Sequence, residues 1–224
     1  MSIQTIIDNA TFVTINKRKV AASSISRSGH IKTADRGVGV YQFTVGMHNG
    51  LTYSTNRSLL ESLDTMDVVN EANVNIGSTN SGLTYITAYQ GDLSQAQLDQ
   101  IVCVSGTGTD GANIHIDTTS VTGSPSGVLF KAGDFIQPQG NTGAYRYPYQ
   151  VTSDVTYSSS ADITVPVHRG VLTQTGTSIT TGDLRVGKNV NFQVKALQMP
   201  IYSVVPHDRI EFSGDFQLME VITD

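Results

Sequence analysis

The stretch that decides the fold is VLFKAGDFIQPQGNTGAYRYPYQVTSDVTYSSSADITVPVHRG, residues 128–170. An apolar triplet leads into KAGD at 131–134, a sequence typical of a tight turn. Residues 135–137 begin a second strand-like run, which PQGN at 138–141 interrupts. More strands are predicted over 145–155, where Pro148 limits the first part to a sheet edge, and over 162–165. Several strands joined by turns in one short window predict a small antiparallel sheet or half a barrel.

The composition of the whole chain favours the same kind of structure. The 224 residues include 21 glycines, no tryptophan and only 15% charged residues, with Ser and Thr abundant throughout. That balance is typical of β structure with many turns rather than of a helical bundle. We therefore predict a mainly β fold of the α+β kind, with antiparallel β-barrel or sandwich modules. One sizeable helix and one short helix are expected in the first half.

The change in pattern along the chain predicts two domains. Residues 1–120 form a β-rich domain with a helix at about 55–72, and residues 121–224 form a small antiparallel barrel-like domain. The seam is expected in the small, polar stretch at 118–127. Both helices fall before it, and nearly everything after it reads as strand and turn.

Two capping patterns predict the helices. Ser58 is followed three positions later by Glu61, which is a capping-box pattern, and apolar residues then recur on one helical face to residue 71. Ser94 and Gln97 repeat the pattern and predict a short helix before a strand at 101–104. Residues 83–89 are predicted to be a strand.

Alternation of apolar and polar residues marks strands elsewhere. In the clearest run, Tyr41, Phe43 and Val45 share one face of a strand at 38–45. Residues 113–117, 190–196, 202–205 and 210–221 are also predicted as strands. The polar stretch at 23–39 is either a strand edge or a long loop, and long loops in compact domains tend to contact something.

Charge and cysteine content exclude several classes of protein. The net charge is −5 and the only basic cluster is KRK at 17–19, so direct nucleic-acid binding is not expected. Cys103 is the only cysteine, which leaves no disulfide framework and predicts a small buried hydrophobe. The first 20 residues lack the pattern of a signal peptide, and no apolar run approaches the roughly 20 residues that span a bilayer. We expect synthesis in a cytoplasm and no stable membrane insertion.

No combination of residues indicates catalysis or metal binding. The five histidines show no metal-ligand spacing. His207 and Asp208 form either a general-base pair or a turn after Pro206, and the turn is favoured because no activated nucleophile accompanies them. Asp134 and Asp154 are explained as a turn residue and a solvent-facing strand residue. We predict no catalytic, cofactor-binding or metal-binding residue, no cofactor and no enzymatic activity.

Tyrosine and arginine, which are enriched at protein interfaces, gather in the second half of the chain. The alternative is an ordinary strand that is partly core and partly rim. Together with charged residues of the 23–39 stretch, this cluster supplies the predicted interface residues: Arg27, His30, Arg36, Tyr145, Arg146, Tyr147, Tyr149 and Tyr157.

Three strings in and around the opening stretch resemble a known family. They are FKAGDFIQ at 130–137, YQVTSDV at 149–155 and ADITVPVHR at 161–169. Together they resemble a pattern of minor tail proteins of tailed bacteriophages: an FKAGD turn before an apolar residue, a Y-x-V-T-x-D-V strand and an I-T-V-x-x-x-R strand. The closing VVPHDRIEFSGDF at 204–216 is similar to the end of such proteins. The resemblance covers a small part of the chain.

The resemblance implies a structural virion protein of the tail tip or baseplate hub, located in the tail. Such a protein is built from barrel-like modules, assembles as a homo-oligomeric ring and docks tail tube, hub or baseplate proteins. Residues 23–39 and 173–187 are the expected contacts with neighbouring subunits, and the outward faces of 149–155 and 163–165 are expected to be covered. The alternative is a receptor- or glycan-binding tail module, with the tyrosines of 145–157 as a stacking platform.

Overall fold

The computed structural model describes residues 3–18, 21–35, 39–65, 71–78, 82–104, 111–140, 147–172 and 179–222. The protein is mainly β with antiparallel sheets and a small helical content, which confirms the predicted fold class. None of the helices in these ranges is long and apolar enough to cross a bilayer.

The described residues form three α-helices and eighteen strands. The helices are α1 (Ile3–Asp8), α2 (Tyr53–Asp64) and α3 (Gln95–Leu98). The strands are β1 (Ala10–Arg18), β2 (Ala21–Ile25), β3 (Ile31–Asp35), β4 (Val40–Met47), β5 (Leu51–Thr52), β6 (Ala72–Val74), β7 (Val102–Cys103), β8 (Asn113–Asp117), β9 (Val128–Phe130), β10 (Phe135–Gly140), β11 (Tyr149–Gln150), β12 (Val155–Thr156), β13 (Ile163–Pro166), β14 (Ile179–Val186), β15 (Phe192–Gln198), β16 (Ile201–Val205), β17 (Arg209–Ser213) and β18 (Phe216–Glu220). Short 3₁₀ turns occupy Thr84–Ile86 and Gly187–Asn189.

A five-stranded antiparallel sheet, in the order β1-β4-β18-β15-β6, forms one layer of the molecule. Its second strand, β4, alternates as predicted, with Tyr41, Phe43 and Val45 buried. The leucines of α2 and the isoleucines of α1 join these side chains in one apolar cluster. The cluster therefore packs both helices against one face of the sheet.

A six-stranded sheet, in the order β11-β10-β14-β7-β8-β13, surrounds the second apolar cluster. Its two edges meet, because Val151 after β11 bridges Val167 after β13. The Thr152 N–H donates to the Pro166 carbonyl at 3.0 Å, and the His168 N–H donates to the Gln150 carbonyl at 2.9 Å. These bonds make the sheet partly barrel-like, as the strand-and-turn pattern of residues 128–170 predicts.

Strand pairing crosses the predicted boundary between residues 120 and 121. β4 pairs with β18, which joins residues near both ends of the chain, and β8 pairs with β13 inside the barrel. One apolar cluster combines residues before 77 with residues after 189 and with Phe135, and the other lies almost wholly between 93 and 186. Alternation along a strand shows which face is buried but not which strand lies beside it.

The main helix begins earlier than its capping pattern predicts. α2 starts at Tyr53 with Thr52 as its N-cap and is kinked at Asn56, whose φ of −108° and ψ of 15° are not helical, so Ser58 lies inside the helix two residues after the kink. The Asp208 carboxylate accepts hydrogen bonds from the Ser54 N–H at 3.0 Å and the Ser54 hydroxyl at 2.6 Å. This residue, distant in the chain, thus supplies an acceptor for a backbone N–H of the first helical turn, which has none within the helix. The helix ends with Thr65 as C-cap; the predicted continuation over 66–70 lies outside the described residues, and Ala72 already belongs to β6.

Two other local predictions have opposite outcomes. The short helix α3 is confirmed, with a capping box between Ser94 and Gln97, and it precedes β7. The predicted strand at 83–89 is wrong, because Thr84–Ile86 is a 3₁₀ turn. Leu83 and Thr87 are buried while Tyr85 is exposed, a spacing that fits a turn rather than the period of two of a strand.

The KAGD turn has the structure that its sequence predicts. Gly133 has a φ of +106°, and the buried Asp134 carboxylate accepts the N–H groups of Lys131 and Gln90, each at 2.9 Å. Asp154, predicted as a plain strand residue, instead accepts the Ala132 N–H at 2.9 Å. The strand after the turn is longer than predicted, because β10 runs through Pro138 to Gly140 with a register shift.

Candidate assembly interface

A two-stranded hairpin formed by β2 and β3, hereafter the arm, pairs with no other strand among the described residues. For the described part of the 23–39 stretch it favours strands over a long loop, while residues 36–38 lie outside the described residues. Every residue from 23 to 32 is exposed, so this part of the arm does not lie on the body of its own chain. Isolated hairpins are marginally stable in water, so such an arm gains stability from a surface that covers it.

The turn of the arm is well ordered by its own hydrogen bonds. The Ser26 N–H donates to the His30 carbonyl and the Gly29 N–H to the Ser26 carbonyl, both at 2.9 Å. The His30 N–H also donates to the Ser26 hydroxyl oxygen at 3.1 Å. Gly29 has a φ of +81°, in the left-handed region that glycine adopts at little cost. The turn therefore holds the adjoining ends of β2 and β3 in a fixed arrangement.

The tip of the arm, residues 25–32, combines an apolar pair with positive charge. Ile25 and Ile31 face each other across the two strands and are 73% and 69% exposed. Arg27 and Lys32 are exposed beside them. Two large aliphatic side chains side by side on a projecting hairpin are a surface suited to burial against a partner.

A buried ion pair joins the sheet to the barrel. Arg169, which follows β13, donates from Nη2 to Glu220 Oε1 at 2.6 Å and from Nη1 to Glu220 Oε2 at 2.7 Å. The two residues are only 5% and 2% exposed. Arg169 Nη2 also donates to the Pro148 carbonyl at 2.9 Å. This bidentate geometry, with further hydrogen bonds, compensates for part of the cost of removing two charges from water.

Aromatic rings complete this cluster, which we call the anchor: Arg169, Glu220, Tyr41, Tyr149 and His168. The Arg169 guanidinium carbon lies 5.4 Å from the Tyr41 ring centre and 5.3 Å from that of Tyr149. Tyr41 belongs to the sheet's apolar cluster and Tyr149 to the barrel's. The anchor therefore connects the two cores through one cation.

The surroundings shift the protonation equilibria of the anchor. Burial lowers the pKa of Arg169, but the hydrogen bonds and charge of Glu220 outweigh it, so the pKa stays above its ordinary value. Burial raises the pKa of Tyr149 to about 12 and raises that of Tyr41 further. Burial, with the charges of Arg169 and Lys17, lowers the pKa of His168 to about 3.

His168 is therefore neutral at pH 7, and its hydrogen bonds assign its proton. Nδ1 accepts the Gln150 N–H at 3.0 Å, which places the proton on Nε2. Nε2 is buried and has no hydrogen-bond partner among the described residues. A neutral imidazole fits beside the Arg169 cation, where a protonated one would be repelled.

The anchor also holds the start of β4. Arg169 Nη1 donates to the Gly39 carbonyl at 3.0 Å, and Glu220 Oε2 accepts the Tyr41 N–H at 3.1 Å. These contacts fix the backbone on both sides of Val40, the first residue of β4. The cluster thus couples the start of this strand to both cores.

The predicted interface residues divide between surface and core. Arg27 and His30 are exposed on the arm. Tyr147 and Tyr149 are 5% and 1% exposed, so these two predictions are wrong: their rings fill the barrel and offer no surface to a partner. Tyr157 is half-buried against the barrel core.

Three of the predicted interface residues, Arg36, Tyr145 and Arg146, lie outside the described residues. So do residues 173–178 of the second predicted contact segment, and the rest of that segment forms β14 and the turn after it.

Sequence reasoning missed the anchor, although a signal for Glu220 exists. With a period of two, Glu220 falls on the same face of β18 as Phe216 and Leu218, both fully buried. A carboxylate on a core face requires a partner. Arg169, which ends the I-T-V-x-x-x-R string, is that partner.

The chemistry-bearing residues do not converge elsewhere in the described parts of the chain. No three His, Cys, Asp or Glu side chains there are grouped as a metal site requires. His207 and Asp208 form the turn between β16 and β17, with φ values of +67° and +58°, as the favoured interpretation predicts. Cys103 is buried, and burial raises the pKa of its thiol to about 12, which makes it a poor nucleophile at neutral pH.

No family model and no curated protein matches this chain. The arm, the anchor and the strings within residues 130–169 are therefore the features of the molecule that bear on its function.

Proposed function

We propose that this chain is a structural virion protein of a phage tail tip or baseplate, which assembles as a homo-oligomeric ring and docks neighbouring tail proteins. The observation that carries the proposal is the arm, an ordered hairpin with an exposed Ile25–Ile31 pair and no partner strand in the described chain. A projecting element of this kind is a means of joining subunits.

The firm connection between the two cores supports the same proposal. The anchor joins the sheet, through Glu220, to the barrel, through Arg169. Gln137 makes a second link between them, donating to the Asn191 carbonyl at 2.8 Å and accepting the Asn191 N–H at 3.0 Å. Force applied to one core would thus be shared by the other, which suits a component of a mechanical assembly.

The strings that resemble phage tail proteins have architectural roles here. Asp134 and Asp154 both accept backbone N–H groups of the KAGD turn, and Arg169 forms the buried ion pair. Their side chains make hydrogen bonds that hold the barrel together, and they do not form a binding cleft. This supports a resemblance in construction, which is what a virion component would share with its family.

Labelling of virus particles tests the proposal. Gold-conjugated antibody against the purified chain should bind one end of the tail in electron micrographs of particles from the phage that encodes it. Mass spectrometry of gradient-purified particles should detect the chain in several copies. Absence of the chain from such particles would refute the proposal.

A second candidate function is the binding of a glycan. The feature that favours it is not the group of tyrosines at 145–157 that the sequence suggested. Tyr147 and Tyr149 are buried, but Tyr85 is 69% exposed at a cavity of about 520 Å³. Thr84, Gln95 and Lys188 line the same cavity and offer polar groups beside the ring. An exposed aromatic face with adjacent hydrogen-bonding groups is suited to a sugar ring.

A glycan array with the purified protein tests this second candidate. Saturable binding that is lost in Tyr85→Ala and kept in Tyr85→Phe would support it, because phenylalanine retains the stacking face. No binding to any glycan on the array would dismiss it.

A further inference from the structure

We infer that the arm tip of one copy docks into a groove on the α2 face of a second copy, in a head-to-tail contact. The inference rests on the proposed function, since it specifies how the ring is made. The groove has a volume of about 340 Å³ and is lined by Tyr53, Arg57, Leu60, Glu61, Asp64 and Tyr202.

The groove is preformed by contacts between its walls. The Tyr202 hydroxyl donates to Asp64 Oδ2 at 2.7 Å, which joins β16 to the end of α2. The Arg57 guanidinium lies over the Tyr53 ring, 5.7 Å from its centre. Leu60, the one aliphatic residue of the lining, gives the groove an apolar floor.

The chemistry of the groove complements that of the arm tip. Two carboxylates, Glu61 and Asp64, outweigh the single Arg57 cation, which is already stacked on Tyr53. The tip brings two cations, Arg27 and Lys32, beside its isoleucine pair. Docking would cover aliphatic side chains with aromatic and leucine surface and pair charges of opposite sign at the rim.

The arm tip does not occupy the groove of its own chain, which makes the contact intermolecular. Every residue from 23 to 32 is exposed, so no surface of the same chain covers the tip. The groove itself lies beside the turn that follows β4, since the Asn49 side chain accepts the Phe212 N–H at 2.7 Å and Phe212 pairs with Tyr202.

A contact between different surfaces on identical copies has a structural consequence. Each copy offers one arm and one groove, so the interface is heterologous and repeats around an axis. Such repeated contacts close into a ring when the rotation from one copy to the next is a whole fraction of a full turn. This is the symmetry that a tail-tip ring requires, and a contact between two arms would instead stop at a dimer.

Charge reversal on the two sides tests the inference. Variant A carries Arg27→Glu and Lys32→Glu, variant B carries Glu61→Lys, and variant C combines all three substitutions in one chain. Light scattering and sedimentation at physiological salt measure the association of each, and thermal unfolding checks that every variant folds. A and B should associate at least about tenfold more weakly than wild type, a change of the size that loss of a close charge pair produces. Variant C should recover association, because its arm and its groove again have opposite charges.

The outcomes separate this contact from the proposed function. If wild type forms oligomers, and the chain is found in particles, but A and B associate like wild type, the arm-in-groove contact is wrong and the virion role stands. If A loses association and C does not recover it, the arm binds another surface or another protein. A wild-type chain that stays monomeric and is absent from particles contradicts both.

Discussion

Arg169 and Glu220 form a bidentate ion pair at 2.6 and 2.7 Å, although they are 51 residues apart in the chain. Glu220 belongs to the five-stranded sheet, and Arg169 follows a strand of the barrel. Arg169 also donates to the carbonyl of Gly39, the residue before β4. One buried guanidinium therefore holds the five-stranded sheet and the barrel together.

The ion pair predicts strong coupling between two substitutions. Arg169→Met and Glu220→Gln should each lower the free energy of unfolding by about 3–5 kcal/mol, because each leaves a buried charge or its hydrogen-bond partners unpaired. The double variant should lose clearly less than the sum of the two. Urea unfolding of the four proteins measures the cycle, and additive losses would show that the pair contributes no coupling.

His168 predicts a loss of stability in mild acid. Its pKa is about 3 in the folded chain and near 6.5 when unfolded, so between these values the unfolded chain binds a proton that the folded chain does not. Stability should therefore fall as the pH falls from about 6.5. His168→Asn keeps an acceptor near the Nδ1 position for the Gln150 N–H but does not titrate.

The comparison of the two proteins isolates this contribution. The free energy of unfolding, measured from pH 7.5 to 5, should decrease more steeply for wild type than for His168→Asn. Carboxylates titrate in both and cancel in the difference. Equal slopes would mean that His168 is not kept neutral by its surroundings.

The KAGD turn predicts unequal costs for its two aspartates. Asp134→Ala should destabilise the fold by about 2–4 kcal/mol, since it removes the acceptor for the Lys131 and Gln90 N–H groups at a buried position. Asp154→Ala is the matched control: Asp154 is exposed and accepts only the Ala132 N–H, so its loss should cost less than about 1 kcal/mol. Chemical denaturation of both variants provides the test, and similar losses would contradict the structural role assigned to Asp134.

The exposed pair on the arm predicts a separation of stability from association. Ile25→Ser with Ile31→Ser should leave the melting temperature nearly unchanged, because both side chains are largely exposed in the single chain. Calorimetry at low protein concentration measures this. A large drop in melting temperature would mean that the isoleucines belong to the core of their own chain.

Local patterns in the sequence predicted those elements in which the alternation of apolar and polar residues decides which side chains are buried. In β4, Tyr41, Phe43 and Val45 are buried as their spacing requires, and the capping box at Ser94 begins a helix as expected. The KAGD turn likewise follows from the requirement for a positive φ at Gly133. In each case the sequence feature that determines the structure lies within a few residues of the element itself.

The failures share a dependence on distant partners. Helix α2 starts at Tyr53 and not at Ser58 because Asp208, from a hairpin more than 150 residues away in the chain, binds its first turn. Tyr149 looked like an interface residue because the sequence does not reveal that Arg169 and the barrel enclose it. The groove could not be predicted for the same reason, since Asp64 and Tyr202 meet only in the folded chain.

Self-assembly through the arm is tested by the solution mass of wild type beside that of Ile25→Ser/Ile31→Ser. Multi-angle light scattering over a range of concentrations should give wild type a mass that is a fixed multiple of 24.0 kDa. The double variant, folded to the same melting temperature, should give 24.0 kDa. A wild type that stays at the monomer mass at every concentration, or a double variant that forms the same oligomer as wild type, would contradict assembly through the arm.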